Sequence, residues 1–342
     1  MKKIHVFLTT ILAFLLLTAG GSIMVKAEEA AASSAIQAGK GLVVEGSPEG
    51  YTYEKGTLCF IKGGSYTVSM APDTPVTTDV IMVKGDGNFA LTLNSVQIAT
   101  DSEGQQGMPL YVQQGDLSLT LAGSSNLKSE KTSALFIGDE GGGTNASKLT
   151  VAGSGTLTLR SGSSFAFENL GLGGTFMEGG QIHASNAIVD GQGIKAIAIQ
   201  AGAKEVYAIS AHFAEKLTMN GGSLTAEVDN GETPIYAGAV YCYNGLEVNG
   251  GTLSGKAPGA GISTGDGEGK GGACVINGGT VTGDAVERGV SYGTSGISVI
   301  GNITINGGSV TAKNGYVGLD ATNILAINGG QVNASGAQVG IH

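Results

Sequence analysis

The chain has no tryptophan, three cysteines and only two arginines, Arg160 and Arg288, among 342 residues. Each scarcity excludes something. The cysteines, Cys59, Cys242 and Cys274, are odd in number and far apart with no metal-ligand spacing, so neither a disulfide framework nor a zinc site is expected. Nucleic acid is excluded as a partner, because binding it needs clustered Lys and Arg, and 28 acidic residues outnumber 18 basic ones. Charged residues make up only 13% of the chain, too few for a disordered polypeptide with this apolar content. Beyond the N-terminal leader no run reaches about 18 consecutive apolar residues, the length a membrane helix needs.

Glycine is what the chain has in excess, with 60 residues, and it is placed periodically. The stretch LTMNGGSLTA at 217–226 returns as LEVNGGTLSG at 246–255, CVINGGTVTG at 274–283, ITINGGSVTA at 303–312 and LAINGGQVNA at 325–334. Counted from the first glycine of each pair, Gly221, Gly250, Gly278, Gly307 and Gly329, the steps are 29, 28, 29 and 22 residues. A period of that size means stacked repeats. Each copy reads as an alternating strand, an Asn-Gly-Gly corner and a second short strand. Leu217 and Met219 then face one way and Thr218 the other, with Leu224 and Ala226 rejoining the inward side. Asn tolerates the left-handed backbone of a corner, and Gly adopts it freely. Coils stacked in register bring Asn220, Asn249, Asn277, Asn306 and Asn328 about 4.8 Å apart, close enough for a structural amide ladder.

Residues 1–27 read as a secretory signal peptide: Lys2 and Lys3, an apolar run from Ile4 to Ala19, then small residues before a cut at Glu28. A retained anchor is the alternative. Its removal leaves 15 basic and 28 acidic side chains, net −13, on an exported protein with no further membrane segment. Residues 28–50 are small and polar and read as a flexible leader. The texture changes at Tyr51, so 51–342 is expected to be the folded domain, with 51–88 a β cap or first coils around a Lys62-Gly63-Gly64 corner. Residues 89–342 carry the repeats. Degenerate copies occur at 89–98, 117–129 and 148–159, with corners near Asn94, Gly123 and Gly153 that are 29 and 30 residues apart. FMEGGQIHA at 176–184 is another copy, with Glu178 in place of Asn. The 42 residues from Gly179 to Gly221 fit one coil with a long insertion or two short coils; the likeness of 197–206 to a degenerate copy favours two, with a helix over 192–216 as rival. The whole predicts an all-β, right-handed parallel β-helix of about ten coils.

Between corners, GAGIST (259–264), RGVSYG (288–293), YVGLDA (316–321) and QVGIH (338–342) align as a second strand family. That alignment predicts an inward stack of Ile262, Val290, Leu319 and Ile341 beside an outward column of Ser263, Ser291, Asp320 and His342. Extra residues of the longer coils fall after this strand, on one edge of the solenoid, the side where such proteins often bind. The chain reaches His342 in mid-coil, which leads to the expectation that another domain or chain covers that end.

Chemistry is sparse. There is no Asn-Thr-Asp, Gly-His-Gly or Asp-Asp motif, and His183 and His212 have no acid at motif spacing, so no catalytic residue is assigned. Carboxylates from distant coils can still pair, which keeps a lyase or glycoside hydrolase open. Asp229 with Glu232, and Asp266 with Glu268, offer closely spaced oxygens of the kind calcium takes, although neither stretch matches a calcium-loop signature and solvated turns are the favoured reading. Calcium is the one cofactor considered, and none is required. Tyr241, Tyr243 and Tyr292 are candidates for a sugar platform, with Asp320 as an outward polar neighbour, but they do not fall in one column and scattered surface tyrosines are the favoured reading. Cys274 stands where other copies have Leu or Ile, so it reads as a small buried hydrophobe.

The opening coils, YTYEKGTLCFIKGGSYTVSM with LTLNSVQI and LSLTLAGSSNLKS, and the INGGSVTA-type repeats resemble a family of secreted β-helix proteins of gut and cellulolytic clostridia. The resemblance covers about 51–342. It implies a pectate-lyase-like fold that binds acidic plant polysaccharide and calcium without cleaving it; none of the matching positions is a site motif of that family. The expectation is therefore a secreted or cell-surface protein that binds polysaccharide non-catalytically. A structural or adhesive surface protein without a sugar ligand is the alternative, and a lyase or hydrolase comes third.

Overall fold

Alternating apolar residues give each short strand one inward side, and the repeat brings those sides into a common core. The computed structural model describes residues 36–39, 41–139, 144–162, 165–187, 208–229, 237–265, 272–286 and 293–342, all within one unit, Ser33–His342. Leu217–Met219 pairs in parallel with Leu246–Val248, which continues through Cys274–Ile276 and Ile303–Ile305 to Leu325–Ile327. Nine successive pairings of this kind link ten strands on one face, beginning at Gly64–Met70. A second face is a nine-stranded sheet running from Gln97–Thr100 to Gln331–Ser335. The third passes through Ala208–Phe213, Ala237–Cys242 and Ala260–Thr264 to Val339–Ile341. The fold is a parallel β-helix.

Inside it, Leu217, Leu246, Cys274 and Ile303 form one in-register stack, each nearly inaccessible to solvent. Each aliphatic side chain buried in this way contributes about 1.5–3 kcal/mol. Burial pushes the thiol pKa of Cys274 up to about 12 and raises that of Cys242, so both act as apolar core atoms.

The Asn-Gly-Gly corner divides its work among three residues. Asn249 Nδ2 donates to Asn220 Oδ1 at 2.9 Å, and the same bond repeats at 2.8 Å from Asn277 to Asn249, from Asn306 to Asn277 and from Asn328 to Asn306. Asn220 in turn donates to Glu178 Oε1 at 2.8 Å, so the exceptional copy joins the ladder through its carboxylate. The first glycine is needed for space: a Cβ on Gly278 would lie 2.7 Å from the backbone oxygen of Asn249. The second carries the left-handed turn, with φ of 75° at Gly279. None of the five asparagines has positive φ, so the reason to expect Asn there was half wrong; its side chain, not its backbone, fills the role.

Three expectations about the chain's course are corrected. Residues 28–50 are not a leader throughout: Ile36–Ala38 and Leu42–Glu45 pair antiparallel, and Leu42–Glu45 pairs antiparallel with Gly64–Met70. Leu42 and Val44 are buried, a two-residue alternation that the surrounding small polar residues masked. The cap therefore begins before Tyr51, whose strand Tyr51–Glu54 adds an antiparallel hairpin with Thr57–Phe60. Buried Asp79 ties the cap together, accepting from Gly41 N at 3.1 Å and Tyr53 OH at 3.0 Å.

Second, Gly179 to Gly221 is one coil with an insertion. Thr175–Met177 pairs directly with Leu217–Met219, and Gln181–Ala187 directly with Ser223–Asp229, which leaves no place for an intervening coil. The end of the rival helix is also overturned, since Ala208–Phe213 is a strand; 188–207 lies outside the described residues. Third, Ile262 and Ser263 pair with Ile297 and Ser298, not with Val290 and Ser291. The added residues of that coil therefore precede the strand Ser295–Val299, while those at 266–271 follow Ala260–Thr264. The insertions do not share one edge.

Candidate functional site on the outer face

Parallel pairing in register does to outward side chains what it does to inward ones: it lines them up. On the third face the outward column runs Cys59, Met82, Tyr111, Phe136, Glu168, His212, Tyr241, Ser263, Ser298 and Asp320, each paired with the next. Its character changes along the stack. Met82, Tyr111 and Phe136 are buried with Leu170 in a small apolar cluster of their own on the outside of the helix. From Tyr241 onward the column is partly open to solvent.

Between the covered and the open parts stands a short ring ladder. The His212 imidazole stacks on Phe165 at 5.1 Å and on Tyr241 at 5.6 Å, both with interplanar angles of 29°. Tyr243 meets Tyr241 edge-on at 6.5 Å and is 40% exposed. Tyr241 OH donates to the Gly265 carbonyl at 2.6 Å, which fixes the ring upright against the start of an inserted loop. The next coils carry polar groups: Ser263, Ser298, then Asp320, whose Oδ1 lies 2.9 Å from Nδ1 of His342.

Beside the rings, Glu168 and His212 face each other with side chains only 13% and 18% exposed. Glu168 Oε2 accepts from Ser133 Oγ at 2.9 Å, and its Oε1 stands 3.9 Å from His212 Nδ1, a nitrogen with no hydrogen-bond partner. At 3.9 Å neither atom satisfies the other.

The residues singled out in the sequence fare differently. Tyr241, Tyr243 and Asp320 belong to this face, Tyr243 as a neighbour of the column and the other two as members. Tyr292, Glu232, Asp266 and Glu268 lie outside the described residues. Asp229 ends the strand Ser223–Asp229, on a different face from Tyr241. Among the described residues no three His, Cys, Asp or Glu side chains converge to hold a metal. His183 is exposed on Gln181–Ala187, whereas His212 becomes central, and nothing in its local sequence announced that. Its partners Glu168 and Phe165 come from the preceding coil, across a long insertion that hid the register.

On the adjoining face, Phe176 borders a hollow of about 290 Å³ with Lys216 and Glu247, and Lys148 Nζ sits 4.3 Å over its ring. Lys216 and Glu247 form an ion pair, and the lysine's hydrogen bond, followed by that of Asn249, lowers the Glu247 pKa. No helix among the described residues is long and apolar enough to cross a membrane. No family model, curated protein or solved structure matches the chain.

Proposed function

We propose that this protein is exported and binds polysaccharide without cleaving it, along the outer column from His212 to Asp320. The observation that carries the reading is the ring ladder of His212, Tyr241 and Tyr243, followed in register by the hydroxyls of Ser263 and Ser298 and the carboxylate of Asp320. Aromatic rings offer the apolar faces on which sugar rings pack, and polar groups repeated at the coil spacing of about 4.8 Å suit a polymer that repeats its own hydroxyls. A parallel β-helix supplies that periodicity on a rigid frame, which lowers the ordering cost of binding. The resemblance to secreted clostridial carbohydrate-binding β-helix proteins supports the same class of ligand.

A glycan array probed in calcium and again in EDTA tests the proposal. Binding to at least one polysaccharide is expected, weakened by Tyr241→Ala with Tyr243→Ala; no binding to any glycan in calcium sinks it. Loss in EDTA would add calcium as a bridging ion. Reducing-sugar release and unsaturated-product absorbance should stay flat on every polymer that binds.

A further inference from the structure

A second feature lies in the N-terminal coils, where the chain turns from the third face towards the first. Asp86, Asp116 and Asp139 line one open groove together with Asn88, Gln113 and Ser147. Its volume of about 570 Å³ falls within the range of about 300–1,000 Å³ common to ligand clefts. Among the described residues, Ala146 is the one apolar side chain in its wall.

The groove has more acceptors than free donors, since Gln114 Nε2 is given to Asp86 Oδ1 and Asn145 Nδ2 to the Gln113 carbonyl. Ser147 is only 3% exposed, and its Oγ has no partner; Gln113 Oε1 is likewise buried and unmatched. Burying polar oxygens unpaired is costly, so their retention beside three carboxylates points to something that brings donors. Neighbouring cations do not fill that need. Lys148 gives its backbone N–H to Asp116 Oδ1 at 2.9 Å but turns its ammonium over Phe176, and exposed Lys84 forms no ion pair with the three carboxylates. A bare metal ion fits poorly, because the space is far larger than an ion and no three ligating side chains among the described residues converge. A lysine side chain would answer the charge but brings no hydroxyls for the neighbouring oxygens.

We propose that this groove binds an amino-bearing saccharide, a hexosamine unit whose ammonium offsets the three carboxylates and whose hydroxyls supply the missing donors. The site is separate from the Tyr241 face and does not depend on the reading given to that face.

The test is calorimetry on the full chain at low salt in EDTA, with a glucosamine oligomer and its N-acetylated counterpart as probes. The deacetylated oligomer should bind at least tenfold more tightly, and added salt should weaken it, as screening of charge requires. Asp139→Asn alone, and Asp86→Asn with Asp139→Asn, should each lower its affinity, the pair by tenfold or more, without changing the thermal melt. His183→Ala, exposed on the second face, should leave it unchanged. No binding, equal affinity for both oligomers, or indifference to the Asn substitutions overturns the proposal. So does stoichiometric calcium binding that displaces the oligomer in a second titration without EDTA, which would make the groove a metal site. If the double variant misfolds, the exposed single substitution Asp139→Asn still decides.

Discussion

Asn277 donates to Asn249 Oδ1 and accepts from Asn306 Nδ2, both at 2.8 Å, although 28 and 29 residues separate it from those partners. Replacing it with alanine cuts the ladder in the middle. These bonds are exposed, so Asn277→Ala should cost about 1 kcal/mol in urea unfolding. Gly278→Ala, one position on, should cost more, about 1–3 kcal/mol, because the new Cβ would press on the Asn249 carbonyl at 2.7 Å from backbone that cannot yield. An inverted order would mean that the ladder, and not close approach of coils, sets the corner.

Tyr243 projects from the ring ladder with 40% of its surface exposed, so Tyr243→Ala should leave the melting curve within about 0.5 kcal/mol of the parent. Polysaccharide affinity should fall about tenfold, the scale of one aromatic anchor at roughly 1.4 kcal/mol. Affinity electrophoresis in polysaccharide-loaded gels reads both mobilities side by side.

The buried thiols predict behaviour at high pH. Cys274 is raised from 9.0 to about 12 by burial, and Cys242 is raised too, chiefly by burial and then by Cys274. Below pH 9 both folded and unfolded states hold the protons, and the stability is intact. Between pH 9 and 12 only the unfolded state releases them, so stability should fall by up to about 1.4 kcal/mol per pH unit for each thiol. Cys242→Ala with Cys274→Ala should flatten that decline in urea titrations, whatever it costs at neutral pH.

At the acid end, the Lys216 hydrogen bond lowers the Glu247 pKa below its ordinary 4.5. This contribution is present above pH 4.5 and is lost as pH falls through the depressed value. Lys216→Met should therefore destabilise the protein near neutrality and match it in strong acid. A constant difference at every pH would mean that the lysine stem, not its charge, does the packing.

The Asn-Gly-Gly corners were legible because strand, bend and strand fit within ten letters and repeat. Leu217, Leu246, Cys274, Ile303 and Leu325 share one stack in the structure as they do in the aligned repeats. Elsewhere the alignment depended on what lies between corners. Two short apolar strings, at Val290 and at Ile297, could each have filled the same slot, and parallel pairing chose Ile297. His212 illustrates the limit best. Its meaning comes from Phe165 and Tyr241, one coil away on either side, and no window of local sequence contains all three rings.

The pairing of coil upon coil has a mechanical consequence. Backbone bonds in a parallel stack point from one turn to the next, so a pull along the axis crosses every junction in series. The yield force is then that of the weakest junction, and strengthening any other changes nothing.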